Sequence, residues 1–223
     1  MPQIRSASRT WSLVGIAIAI FGLPAIVGGH HYLVTERTAS ATVVRELLII
    51  ALTVALLWIV RTKERLPLSS IGLSTERLWR SLAWAIGLTL VIFATVIAML
   101  SLYGALGIQY GEGPQSSISP SMWVTLLTVI RAGVCEEIFY RGFAIERLHA
   151  LGASKWVAAL IPLLAFAGFH FRQGFPGIIL ALALGAILTG FYLWQRNLVA
   201  AIVAHFMVDF IPNIFLPMLG GSD

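Results

Sequence analysis

An all-α, polytopic membrane helix bundle of about seven transmembrane helices is the fold the sequence predicts, on three observations. Hydrophobic residues make up 58% of the 223 and charged residues only 11%, against about 25% charged in a soluble domain. Apolar runs recur at lengths near the roughly 20 residues that cross a bilayer. Basic residues gather in some connecting segments and are missing from others. The net charge of +5 therefore reads as membrane topology and not as a nucleic-acid surface. The expectation is one multi-pass domain over 1–223 in the cell membrane, with lipid around it. No pattern specifies an oligomeric state.

The expected spans are 11–29, 43–60, 80–103, 121–150, 154–172, 175–194 and 197–218. The first run is too long for a signal-peptide core, and more spans follow it, so it reads as a membrane helix. The fourth is too long to lie wholly in lipid; its second half, "RGFAIERLHAL", is amphipathic and is expected to project into water or lie at the interface. Leu151-Gly152 ends that helix and Ser154 caps the next. Pro162 is expected to kink the fifth span without breaking it. The loop "YGEGPQSSISPS" reads as a flexible connection on the outer side. Two basic residues precede the first span (Arg5, Arg9), five follow the second (Arg61, Lys63, Arg65, Arg77, Arg80) and three follow the fourth (Arg141, Arg147, Lys155). None lies in 104–120 or after the last span, which places the N-terminus in the cytoplasm. The seven Trp read mostly as interface anchors.

The informative residues are the ionisable ones inside apolar runs. Each costs about 2.5 to 3.5 kcal/mol at the bilayer centre even on the lenient insertion scale, and such residues mark sites or pathways. In "GVCEEIFYRGF", adjacent acids on an α-helix point about 100° apart. Glu137 and Arg141 are i and i+4 with the acid N-terminal, the favourable order for a pair. Glu136 is then left with no local partner and free to face a cavity as a general base. Arg131 lies off the Glu136 face and has no assigned partner. "AFAGFHF" places Phe166 and His170 on one face. "AAIVAHFMVDF" does the same for His205 and Asp209, where Asp209 is expected to hold the imidazole's tautomer and orientation. Glu136 and His170 lie 16 residues before and 18 after Gly152, about 25 Å along antiparallel helices. His205 comes level with them if the helix-four hairpin extends beyond the membrane.

Glu136-Glu137-x-x-x-Arg141, Phe166-x-x-x-His170 and His205-x-x-x-Asp209, in this order, resemble the CAAX protease and bacteriocin-processing (abortive-infection) family of intramembrane glutamic endopeptidases, type II CAAX prenyl endopeptidase-like. The resemblance covers roughly 121–210, the catalytic core. It implies that Glu136 and His170 activate a water for peptide-bond attack. It implies that His205 and the residue four on bind the oxyanion, and that Glu137, Arg141 and Phe166 support them. Eukaryotic-type members tend to carry Asn at the last position; here it is Asp209. An ionised Asp repels an oxyanion, so Asp209 helps when protonated or by orienting His205.

The leading expectation is thus a metal-independent membrane endopeptidase with no cofactor, acting on a peptide or membrane-protein substrate. One alternative is a zinc protease using Glu136, His170 and His205, since one Glu and two His leave an open position for water. Another is a proton-coupled transporter, whose relays use the same residue types. His30-His31 read as an interfacial pair, His149 as solvated, Arg172 as a membrane-edge snorkel and Cys135 as a small filler within its helix.

Overall fold

The computed structural model describes residues 6–34, 38–110 and 121–220. Arg5 and most of the "YGEGPQSSISPS" loop lie outside the described residues. Seven long helical runs fill the rest, with no strand among the described residues. They are α1 (6–33), α2 (Ala39–Lys63), α3 (Leu78–Ala105), α4 (122–150), α5 (Lys155–Phe169), α6 (Gly174–Gln195) and α7 (198–220).

Their ends follow local chemistry. The side chains of Thr38, Ser154 and Asn197 each accept a hydrogen bond from a backbone N–H three residues on, satisfying one of the free donors at a helix start. Asn197 also donates from Nδ2 to Ser81 Oγ at 2.8 Å, tying α7 to α3. Gly152 closes the α4–α5 turn at φ +107°. Pro162 is buried within α5, which runs unbroken through it. A three-residue-turn segment, His170–Gln173, and Gly174 at φ +74° separate α5 from α6, and those two helices pack along each other.

Five helical stretches are long and apolar enough to cross a membrane: Ser8–Leu33, Ala39–Lys63, Leu78–Ala105, Lys155–Gln195 and Leu198–Leu219. The expected count of seven differs for two reasons. The fifth and sixth expected spans run as one 41-residue stretch, folded on itself at Gly174. The fourth, α4, carries too much charge to qualify and is wrapped by protein. Nearly every residue from Arg131 to Ile145 is buried.

The amphipathic end of α4 corrects a second expectation. It does not project into water but packs against the rest of the bundle. Arg147 is 3% exposed; its Nε donates to Glu64 Oε2 at 2.7 Å and its Nη2 to Ser70 Oγ at 3.0 Å. Ser12 of α1 donates to the other Glu64 oxygen at 2.6 Å. The polar face of this helix end is satisfied by α1, the end of α2 and the loop after it, which periodicity within α4 cannot reveal. His149, also expected to be solvated, is half-buried, with Nδ1 3.0 Å from the Ala153 carbonyl.

Two apolar clusters hold the bundle together. One joins α1, α2, α4 and parts of α5–α7 around Phe139, Phe143, Leu56 and Tyr192, and includes Cys135. The other joins α3, α6 and α7 around Ile92, Leu188 and Ala204. The outward faces stay apolar, with Ile86, Leu90 and Ile97 of α3 all exposed, as lipid contact requires. Trp79, Trp123, Trp156 and Trp194 are exposed at helix ends, where an amphipathic ring suits the membrane interface.

Candidate active site

Arg196 sets the level of the site. Its guanidinium meets Glu146 Oε2 at 2.6 Å, and Glu146 Oε1 also accepts from Tyr192 at 3.0 Å. Glu137 lies nine residues before Glu146, and His205 nine residues after Arg196. Once the ends are joined, the two side chains come to the same depth. Gly133 allows close approach: a Cβ there would lie 2.9 Å from the Phe206 backbone nitrogen, so only glycine lets α4 lie directly against α7.

Residues 132–145 of α4 are wound as a π-helix, with hydrogen bonds spanning five residues instead of four, a form found mostly at functional sites. The wider turn changes which side chains meet. Arg131 and Glu136, five apart, form an ion pair at 2.6 Å between Nη1 and Oε1. The expectation that Arg131 lies off the Glu136 face, leaving Glu136 without a local partner, assumed α-helical turns. In the π-helix they are neighbours. Glu137 and Arg141 pair as expected, at 2.7 Å.

Glu137 is fully buried, and its Oε1 accepts from both Arg141 Nη1 and His205 Nδ1, the latter at 2.8 Å. A carboxylate oxygen only accepts, so His205 carries a proton on Nδ1 and Nε2 is left for chemistry. Glu137 thus holds the tautomer of His205, a role assigned above to Asp209. Asp209 Oδ2 stands 3.6 Å from His205 Nε2, too far for a hydrogen bond. One turn further along α7, it reaches the far edge of the ring.

His170 is fixed in the same sense. Its Nδ1 lies 2.8 Å from the Phe166 carbonyl, which can only accept, so Nε2 is again the free nitrogen. The Phe166 ring sits among the charged and basic groups. It lies 4.8 Å from the His170 ring, 6.2 Å from that of His205 and 5.5 Å from that of Tyr140. The Arg141 guanidinium stacks over it at 4.3 Å, and Arg141 also donates to Gly185 O at 3.3 Å.

His170, His205, Asp209, Phe166 and Tyr110 line one cavity of about 120 Å³. It lies between α3, α5, α6 and α7; α4 contributes none of its lining residues. Tyr110 follows α3 and its hydroxyl faces Gln173 Oε1 at 3.5 Å. Burial pushes its phenol above the ordinary value, with Tyr103 and Asp209 acting in the same direction, so it stays a hydrogen-bond donor. Glu136 is not on the cavity wall, though its charge acts on both His205 and Asp209. Among the described residues, Glu137 Oε2 and the Tyr140 hydroxyl are buried with no hydrogen-bond partner.

Among the described residues, no three His, Cys, Asp or Glu side chains are grouped closely enough to hold a metal ion. Glu136, His170 and His205 therefore do not form the three-ligand set of the zinc alternative. Glu46, on α2, had no sequence signal marking it. It is fully buried and bonded to Arg131 Nε at 2.5 Å, 85 positions away in the chain.

Compared with known proteins, the chain matches no protein of curated function and no solved structure. Compared with known families, it does match. The region from 118 to 211, which holds α4 to α6, the first part of α7 and every residue of the three motifs, fits the type II CAAX prenyl endopeptidase Rce1-like family. Over these residues the chain is similar to that family of prenyl endopeptidases.

Proposed function

We propose that the chain hydrolyses a peptide bond within the membrane, using a water activated by Glu136 and His170 and no metal. One observation carries this reading. Two imidazoles line the same cavity, each with Nδ1 tied to a fixed acceptor and Nε2 free. Histidines held this way suit proton transfer and oxyanion binding.

In the proposed step, Glu136 and His170 take a proton from the water as its oxygen attacks the carbonyl carbon. His205, protonated on both nitrogens, donates from Nδ1 to Glu137 and from Nε2 to the developing oxyanion. Glu137 and Arg141 hold that imidazole in place, and Phe166 packs between Arg141 and the two histidines. Asp209 assists when protonated, since it then donates. As the intermediate collapses, the proton taken from water passes to the leaving amine, and the C–N bond breaks. Peptides or membrane proteins reaching the cavity from the bilayer are the proposed substrates.

We also infer seven crossings with a cytoplasmic N-terminus. The 41-residue stretch supplies two crossings once folded at Gly174. Enclosure by its neighbours lets the charged α4 supply another. The basic segment 61–80 then faces the cytoplasm.

The test is cleavage of a fluorogenic peptide in proteoliposomes by Glu136→Gln, His170→Ala and His205→Ala. Loss of a base or an oxyanion donor is expected to lower kcat by about 100-fold or more. Wild-type turnover in Glu136→Gln or His170→Ala would sink the mechanism.

A further inference from the structure

We propose that Glu46 of α2, acting through Arg131, is a positioning residue for Glu136; this rests on the catalytic reading of Glu136 above. The four charges Arg45, Glu46, Arg131 and Glu136 alternate in sign along one continuous chain of contacts. Glu46 is fully buried. Its Oε1 accepts from Arg45 Nε at 2.9 Å and from Arg45 Nη2, and its Oε2 accepts from Arg131 Nε at 2.5 Å. Both oxygens are committed, so the carboxylate is fixed. Arg131 is fixed in turn, because its planar fork presents one edge to Glu46 and leaves Nη1 for Glu136 Oε1 at 2.6 Å.

The consequence falls on the other oxygen of Glu136. The bond from Arg131 reaches Oε1 of Glu136 and leaves Oε2 outside that contact. Glu46 draws the Nε edge of Arg131 away from it. Without that pull, the guanidinium is free to grip Glu136 in the bidentate geometry arginine favours, closing both oxygens to a water. Glu46 lies outside the family-matched region 118–211. The N-terminal half therefore supplies a working part of the site.

The experiment measures kcat and KM for a fluorogenic peptide that the wild type cleaves in proteoliposomes. Thermal unfolding is followed in parallel. Glu46→Gln is expected to lower kcat about tenfold or more with KM unchanged. Adding Arg131→Lys is expected to recover part of that kcat, because an ammonium cannot make the bidentate grip. A purely structural role for Glu46 would instead make the second substitution worse. Wild-type kcat in Glu46→Gln, or no recovery in the double variant, overturns the proposal. If Glu46→Gln does not fold, Glu46→Asp takes its place. A lowered kcat at unchanged KM in that variant supports the proposal, and wild-type kcat overturns it. Glu136→Gln is run alongside. An active Glu136→Gln defeats the catalytic reading itself, whereas an inactive one beside fully active Glu46 variants defeats only the positioning proposal.

Discussion

Arg141 meets three demands at once, and each uses a different property of the guanidinium. It pairs with the buried Glu137 at 2.7 Å, donates to the Gly185 carbonyl and stacks on Phe166 at 4.3 Å. Lysine offers a point charge and no planar face, so Arg141→Lys is expected to be damaging despite keeping the charge. Arg141→Met goes further and strands Glu137. Breaking a buried pair by removing one partner costs about 3–5 kcal/mol, and for a chain this size each kcal/mol lowers Tm by about 2–4 °C. Thermal unfolding in detergent should therefore show a drop of about 10 °C for Arg141→Met and a smaller one for Arg141→Lys. An unchanged Tm in Arg141→Met would mean that the pair does not support the fold. Legibility at this scale tracks distance along the chain. Glu137 with Arg141 could be read because i,i+4 neighbours meet on an α-helix, and the wider turn here keeps the two in contact. Glu137 with His205 and Glu46 with Arg131 could not, since each pair joins two helices remote in sequence.

The π-helical stretch of α4 is where sequence reasoning on helices met its limit. Positions 121–150 read clearly as a helix, and the ends of most elements were close, because capping residues such as Ser154 carry a local signal. Winding carries none. Residue type does not announce a five-residue hydrogen-bond pattern, so the facing of Arg131 on Glu136 was invisible. The same element makes its closest approach to α7 at Gly133. A Cβ there would sit 2.9 Å from Phe206 N and 3.0 Å from its Cα, and both are backbone atoms that cannot swing aside. Gly133→Ala must therefore push α4 from α7, the helix that carries His205. The expected result is at least a tenfold fall in peptide cleavage with the far-ultraviolet helix signal retained, because a displacement of a fraction of an ångström is enough to loosen Glu137 from His205. Wild-type activity in Gly133→Ala would show that the helix–helix distance at this point does not set the site.

At the scale of the whole molecule, the N-terminal helices do more than anchor. Glu46 and Glu64 each bind an arginine of α4, so the charged helix is enclosed by partners as well as by apolar side chains. The charges so enclosed keep α4 from counting as an apolar span, and the partners of its amphipathic end lie on other parts of the chain. Composition still fixed the membrane class, since it depends on no pairing. The proposed orientation rests on where the arginines outside the core collect. Lys63 stacks on both Trp11 and Trp58 at 4.8 Å, which places the beginning of α1 and the end of α2 at one surface with the basic segment that follows. Leu106, at the far end of α3, belongs to the opposite surface. The single native thiol, Cys135, is buried, so a membrane-impermeant thiol reagent should leave the wild-type protein unlabelled in intact cells. Thr75→Cys, exposed in the basic segment, should label only after the membrane is permeabilised. Leu106→Cys, where the native side chain is 63% exposed, should label in intact cells. The reverse pattern would invert the topology and place the cavity mouth, which Tyr110 and His170 border, on the cytoplasmic side of the membrane.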